Sequence, residues 1–572
     1  MIFNKGCLLA ENSRRTDFLI FLIVLTGLAF RLFELDKRGM THIEIYVPGI
    51  ELPAGLTNPS PRLTIPALLR SMIGSEEPHP PGYYLLMFGW TKITGTDLWW
   101  LRLPSVIFGT ACILLIFLIA RQEKAVYPGL IAALLISLNG HQVFWSQLAK
   151  NYIVAESVGL AATLMLLLAN RGGKRERFFQ LIYLVLVLSG ISLTVYFWPI
   201  LLVHMLWTLL EKWKDRRFPG IFQVQYLALI LGSPLISLAV FQSRRASYLG
   251  ENFLPSVSQF LGFGYTLEGI PPGFEASLWI KFIPSFLLIV GIIFLAAGIW
   301  SSRQDRDKSQ TLGISKWILF SVTPFATVLI LIFGAVVWPY FPEAARNALM
   351  VAVLPSVLLG AFLVLKYLWG KKTSGISSVD NELSTPLSNL KLSAYLAVIP
   401  VLLIALATPV VAIFASRGIL LYTPYLLLVL SYGAWVLVKR SRWWIPVLLV
   451  VILIQPVGGV LFRNKYTSHP TDYKFLSEKW IPEIQDGDLI FIQRHWVTTP
   501  IYYYLDAKKY WVVSDLQPEI MSGSLSGKEI DRIWVLTTPG VQPNESQKQV
   551  LEVFRQVKSI DARNISVLLF IK

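Results

Sequence analysis

The chain has 572 residues, 54% of them hydrophobic and 15% charged, with a mean hydropathy of +0.57 and a formal net charge of +16. A soluble protein carries about a quarter charged residues, so this composition excludes an ordinary water-soluble enzyme and implies a polytopic α-helical membrane protein. The basic residues are spread over short loops between apolar runs, which excludes the clustered surface that nucleic-acid binding needs.

The N-terminal stretch MIFNKGCLLAENSRR is too polar for a signal peptide and has no small-residue cleavage site, so the first apolar run is read as a retained helix. Cys7 and Cys112 imply no disulfide framework. Apolar runs that can cross roughly 30 Å of hydrocarbon predict about thirteen spans. These are 17–33, 98–120, 126–139, 152–169, 178–196, 198–210, 222–241, 279–300, 315–338, 347–368, 392–414, 418–438 and 443–461. With the N-terminus in the cytoplasm, the inner loops RQEK (121–124), NRGGKRER (170–177), EKWKDRRF (211–218), SSRQDRDK (301–308), WGKK (369–372) and VKRSR (438–442) are all rich in Lys and Arg. That is the asymmetry of the positive-inside rule. Residues 1–461 thus form a membrane domain, and residues 34–97 and 462–572 fall on the outer side.

Within the first outer loop, PRLTIPALLRSMIG (61–74) has the spacing of a short helix in the headgroup plane. Pro80 and Pro81 suit the first turn of a second one, which would hold Tyr83, Tyr84 and Trp90 as interfacial anchors. Glu44, Glu76, Glu77 and His79 sit on this loop near the water–lipid boundary. A carboxylate held there beside an apolar wall is a candidate general base, unless it is paired. Deeper in, Glu156 lies about one turn into the fourth span, where an ionisable side chain is a functional candidate by default. An interhelical hydrogen bond is the alternative.

The tail changes character. DLIFIQ (488–493), YWVVS (510–514), RIWVLTT (532–538) and SVLLFI (566–571) predict strands. TDYKFLSEKW (471–480) and ESQKQVLEVFRQV (545–557) have helical spacing. Residues 462–572 therefore form a small extracytoplasmic α/β domain. It has no phosphate loop, no metal-spaced Cys/His set and no nucleophile elbow.

A helix, an outer loop with an acidic motif, HPPGYYLLMFGWTKITGTDLWWLRLPSVIFG (79–109), WSQLAKNYIVAES (145–157) and PYFPEAARNALMVAVLP (339–355) follow in that order. This set resembles the membrane glycosyltransferases of family 39 type, which include protein O-mannosyltransferases and lipid A aminoarabinose transferases. The resemblance implies the GT-C fold. It also implies a sugar donor on polyprenyl phosphate and transfer with inversion to an acceptor hydroxyl on a lipid, protein or polysaccharide. The family's presumed base is the Asp of a first-loop Asp-Glu pair; here Glu44, with His42 beside it, is the expected base, and a loop carboxylate such as Glu77 or a catalytically weakened chain are the alternatives. Lys150, Arg346 and Arg102 are the candidates at the donor phosphate, although Arg102 could equally snorkel to headgroups. Tyr83, Tyr84, Tyr152, Glu156, Glu76, Glu77 and His79 would line the site. Glu77 and His79 are also candidates to hold a divalent metal ion. The expected place is the plasma (inner) membrane, with multiple passes.

Two departures stand out. The family has Asp-Glu in the first loop, whereas this chain reads THIEIY, with Ile43 in place of the Asp. Lys150 stands where the family commonly has Arg. A lipid-linked-sugar transporter or flippase, and a non-catalytic relative, are the competing readings. Few ionisable residues in the spans, and polar residues crowded at one membrane face, favour an enzyme over alternating access.

Overall fold

A computed structural model describes residues 5–50, 64–74, 80–212, 220–243, 253–265, 278–304, 390–407, 416–456, 473–493, 499–505, 510–513, 530–538, 545–562 and 565–572. In it the apolar runs become helices, the one conformation that satisfies every backbone group within its own segment in lipid. In chain order they are α1 (Lys5–Leu32), α2 (Ile65–Gly74), α3 (Gly82–Thr94), α4 (Leu98–Gln122), α5 (Val126–Leu138), α6 (Gly140–Ser146), α7 (Asn151–Asn170) and α8 (Glu176–Leu193). There follow α9 (Trp198–Lys212), α10 (Gly220–Ser243), α11 (Phe253–Leu261), α12 (Leu278–Gln304), α13 (Lys391–Ala407), α14 (Thr423–Arg440) and α15 (Trp444–Pro456).

Among the described residues five segments are long and apolar enough to cross a membrane: α4, α7, α8, Phe282–Ser301 of α12, and Arg417–Arg440, which contains α14. Shorter apolar helices include α5, α13 and α15. A count of thirteen crossings is not reached among these residues, and the expected spans 315–338 and 347–368 lie outside them.

Polar side chains stitch the bundle together. Thr163 Oγ1 of α7 lies 3.0 Å from His204 Nε2 of α9 and 2.7 Å from Tyr425 Oη of α14, and Tyr183 Oη of α8 lies 3.1 Å from the other ring nitrogen of His204. Asn139, between α5 and α6, donates to Phe263 O at 2.8 Å and to Gln455 Oε1 of α15 at 2.7 Å, while its Oδ1 caps α6 through the Gln142 N–H. Such interhelical bonds contribute about 0.6 kcal/mol each on average. Several together fix which helix lies beside which.

The tail carries α16 (Tyr473–Trp480), α17 (Glu545–Leu551) and five strands: β1 (Leu489–Ile492), β2 (Trp511–Val513), β3 (Arg532–Thr537), β4 (Arg555–Ala562) and β5 (Ile565–Ile571). Their order is β2-β1-β3-β5-β4, with β1 parallel to β2 and β3, and β5 antiparallel to β3 and β4. The interior strand β1 is buried along its whole length, as a strand covered on both faces must be. Trp480 and Trp534 fill one face; Val550 and Phe554 cover the other. The sequence expectation of a helix over 545–557 differs from the structure, where α17 ends at Leu551 and β4 begins at Arg555. β4 is an edge strand exposed along most of its length, so it lacks the apolar alternation that marks strands.

Candidate functional site

The segment Thr41-His42-Ile43-Glu44 has the spacing of a capping box. The Glu44 N–H donates to Thr41 O at 3.0 Å, and Glu44 Oε2 accepts from the Thr41 N–H (3.2 Å) and Thr41 Oγ1 (2.9 Å). This local turn aims the carboxylate inward, where it is fully buried. Arg102, in the first turns of α4, meets it with Nε at 2.8 Å from Oε1 and Nη2 at 2.8 Å from Oε2, the two-pronged geometry that suits a guanidinium. The remaining Arg102 donors hold the carbonyls of Leu35, Arg38 and Gly39 at 2.8, 2.8 and 2.9 Å. Glu44 Oε1 also accepts the Ala149 N–H at 2.9 Å.

Five hydrogen bonds thus converge on a group with about four lone-pair positions. Burial pushes the Glu44 carboxyl up, but the charge and hydrogen bonds of Arg102, with Arg38 and the Ala149 N–H behind them, bring it down to about 2. A carboxylate so engaged is a poor proton acceptor and a strong clamp. Arg102 likewise spends its donors inside the protein rather than on headgroups.

Glu44 reaches α7 through Ala149, and the next residue is Lys150. Lys150 holds the N-cap position of α7 in extended conformation, contributes no side-chain cap, and is 4% exposed. Among the described residues its ammonium has no hydrogen bond or ion pair. On either side of it in sequence, Trp145 and Tyr152 pack ring to ring, with Tyr196 next to Tyr152, at centroid distances of 5.0 Å and 6.4 Å. The guanidinium of Arg38 lies 4.9 Å from the centre of Phe144. Arg102 and Arg38 both act on the Glu44 carboxylate, and the buried Lys150 follows directly on Ala149, whose N–H Glu44 holds. The start of a helix adds its own partial positive charge. The arrangement favours an anion.

The other expected site residues are placed as follows. His42 is half-buried on the same turn. Tyr83 and Tyr84 are buried on α3, with rings 5.7 Å apart, because α3 lies back against α4 and α8. At Gly82 a Cβ would come within 2.6 Å of the Ser192 carbonyl, so glycine permits that approach. The two tyrosines do not face lipid as anchors; Trp90, half-buried, donates to the Trp100 carbonyl at 2.8 Å. Glu156 is buried and accepts from Gln142 Nε2 at 3.0 Å, an interhelical bond from α6 to α7. Glu76, Glu77, His79 and Arg346 lie outside the described residues. No group of three or more His, Cys, Asp and Glu that could hold a metal occurs among the described residues.

Arg31 was not legible as a site-supporting residue. It is fully buried near the end of α1, with Nε on Ser146 Oγ at 3.0 Å, Nη1 on the Gly27 and Ser137 carbonyls at 3.0 and 3.3 Å, and Nη2 on the Ile136 carbonyl at 3.2 Å. It pins α1 to the end of α5 and to α6. The only sequence signal is a charge inside an apolar run, which calls for partners the sequence cannot name.

Among solved structures, the chain is similar to ArnT from Cupriavidus metallidurans bound to undecaprenyl phosphate (12% identity, 96% of this chain and 97% of that one, TM-score 0.41). It is also similar to the archaeal oligosaccharyltransferase AglB from Archaeoglobus fulgidus in complex with an inhibitory peptide and a dolichol phosphate (12%, 92% and 69%, TM-score 0.41). A third likeness is to the arabinofuranosyltransferase AftD from Mycobacteria (13%, 97% and 41%, TM-score 0.38). At TM-scores this low nothing further rests on them. No curated protein matches the chain. The family model described as dolichyl-phosphate-mannose-protein mannosyltransferase matches residues 78–238, a span that includes both the 79–109 and 145–157 motifs. Through that match, the resemblance of this chain to the GT-C membrane glycosyltransferases holds over the region that carries Arg102 and Lys150.

Proposed function

We propose that this chain transfers a sugar from a polyprenyl-phosphate-linked donor to an acceptor hydroxyl at the outer face of the plasma membrane. Residues 1–461 then form the membrane domain, with the N-terminus in the cytoplasm, and the unit from 462 to 572 lies outside. The observation that supports this reading most directly is Lys150, a side chain only 4% exposed with no counter-charge among the described residues, one position after the Ala149 that Glu44 holds. A cation so enclosed and unpaired is costly, and a lipid-borne phosphate would relieve it.

In the proposed step the acceptor oxygen attacks the anomeric carbon from the face opposite the phosphate. The new C–O bond forms as the bond from carbon to phosphate oxygen breaks, and the phosphate leaves with the electron pair. Lys150 and the start of α7 stabilise the charge that grows on it. The acceptor proton needs a base. Glu44, held by five hydrogen bonds and acidic to about 2, suits that role badly; as the clamp that fixes Arg102 and Ala149, it positions Lys150. Glu76 or Glu77 of the same loop is proposed as the base. No step here uses a metal ion.

The test is binding and turnover in membranes. Lys150→Ala should lose at least tenfold in affinity for polyprenyl phosphate, and Lys150→Arg should recover most of it. Glu77→Gln should bind donor normally and fail to transfer. Undiminished phosphate binding by Lys150→Ala would overturn the reading. Because Glu44 is locked and Ile43 replaces the expected Asp, donor binding without turnover by the wild-type chain is the second reading. It would mark a non-catalytic relative.

A further inference from the structure

One peptide group of the first loop is gripped on both sides. The carbonyl of Gly39 accepts from Arg102 Nη2 at 2.9 Å, and the N–H of Met40, in the same peptide plane, donates to Tyr504 Oη at 2.8 Å. In a trans peptide these two groups point opposite ways, so the arginine and the phenol hold it from opposite edges. Tyr504 comes from the C-terminal unit, one residue beyond the short turn Thr499–Tyr503. That turn is anchored in the sheet: Ile501 and Tyr502 are buried in the cluster that contains Trp480 and Trp534. Tyr503 touches the membrane domain too, donating to Thr96 O at 3.0 Å just before α4. Gly39 is shaped for the contact. A Cβ there would lie 2.9 Å from Tyr504 Oη and 3.3 Å from the Lys474 backbone nitrogen.

The contacts continue inward without a gap. Arg102, which holds the Gly39 carbonyl, holds both oxygens of Glu44, and Glu44 holds the Ala149 N–H beside Lys150. We propose that Tyr504 is a positioning residue, through which the C-terminal unit sets the Gly39–Met40 peptide and thereby Arg102, Glu44 and the anion-binding Lys150. The part that concerns phosphate rests on the reading of Lys150 given above; the part that concerns the loop does not. The C-terminal unit then is a structural part of the site rather than a cover over it.

Hydrogen exchange on the full chain in lipid nanodiscs tests this, with polyprenyl phosphate as the binding probe. Tyr504→Phe removes only the acceptor oxygen. It should raise exchange over residues 38–47 about tenfold, leave β1 and β3 at wild-type rates, and weaken phosphate binding several-fold. Tyr503→Phe, which loses the Thr96 contact alone, should leave residues 38–47 as in wild type. Gly39→Ala should push the phenol away and reproduce the Tyr504→Phe pattern, and the double variant should be no worse than either single one. If Tyr504→Phe also loosens β1 and β3, Gly39→Ala decides, because the residue it changes lies outside the C-terminal unit. Wild-type exchange over 38–47 in both variants would overturn the proposal, as would raised exchange with phosphate binding unchanged. Wild-type protein that binds no polyprenyl phosphate would defeat the Lys150 reading alone, and the exchange data would still judge Tyr504.

Discussion

Two buried glutamates at different places in the bundle have opposite fates. Glu44 meets Arg102 in a two-pronged ion pair, and its carboxyl falls to about 2. Glu123, just after α4, meets no cation among the described residues. Its partners are the N–H and hydroxyl of Ser393 near the start of α13, at 3.3 and 2.6 Å, and burial pushes it up to about 8 in spite of them. Residue type and burial are the same in both. The neighbour decides whether the group is a fixed charge or a neutral hydrogen-bonding acid.

Removing the neighbour is the harshest way to break this contrast. Arg102→Ala strands Glu44 and should cost about 3–5 kcal/mol, the penalty for leaving a buried charge alone. Unfolding in nanodiscs checks it, and Arg102→Lys, which keeps charge but loses the fork, should fall between. Glu44→Gln gives up the charge while keeping the shape, with an expected loss of about 2–3 kcal/mol, the range for hydrogen bonds to charged groups.

The pH profile sharpens the comparison. The Glu44 carboxyl sits at about 2 against an ordinary 4.5, so its contribution is complete above pH 4.5 and drains away as pH falls toward 2. Glu123 runs the other way: held at about 8, it contributes fully below 4.5 and loses that contribution as pH rises through 8. Melting from about pH 3 to about pH 9 should therefore show an acid limb that Glu44→Gln flattens and an alkaline limb that Glu123→Gln flattens. At neutral pH Glu123→Gln should raise stability, because it removes a group whose ionisation already favours the unfolded chain between pH 4.5 and about 8; below pH 4.5, where the carboxyl is neutral in both states, the same change is the smallest effect, within about 0.5 kcal/mol. Glu123→Ala, which strips the helix cap from Ser393, should cost about 1 kcal/mol.

The contrast also explains what could be read in advance. Apolar runs and Pro80-Pro81 announced helices because their causes are local: hydropathy, and a ring that suits a first turn. The core strands β1, β3 and β5 were equally plain. The pairing of Glu44 with Arg102 was not, since 58 residues separate them and no periodicity links a turn to a distant helix. Arg102 therefore read as a phosphate ligand or a snorkelling side chain, and Glu44 as a free base. The T-x-x-E spacing was a local clue to the turn, yet it carries no information about what lies opposite. Tyr504 was invisible for the same reason, standing 464 residues from Met40.

Asn139 has a consequence for biosynthesis. Its side-chain amide finds Gln455 across 316 residues of sequence, and chains emerge from the ribosome N-terminus first. Until α15 has been made, that amide lacks its final acceptor in a region where unsatisfied polar groups are expensive. Before then the Phe263 carbonyl is its partner, so the Asn139–Gln455 bond is among the last contacts that the emerging chain can make.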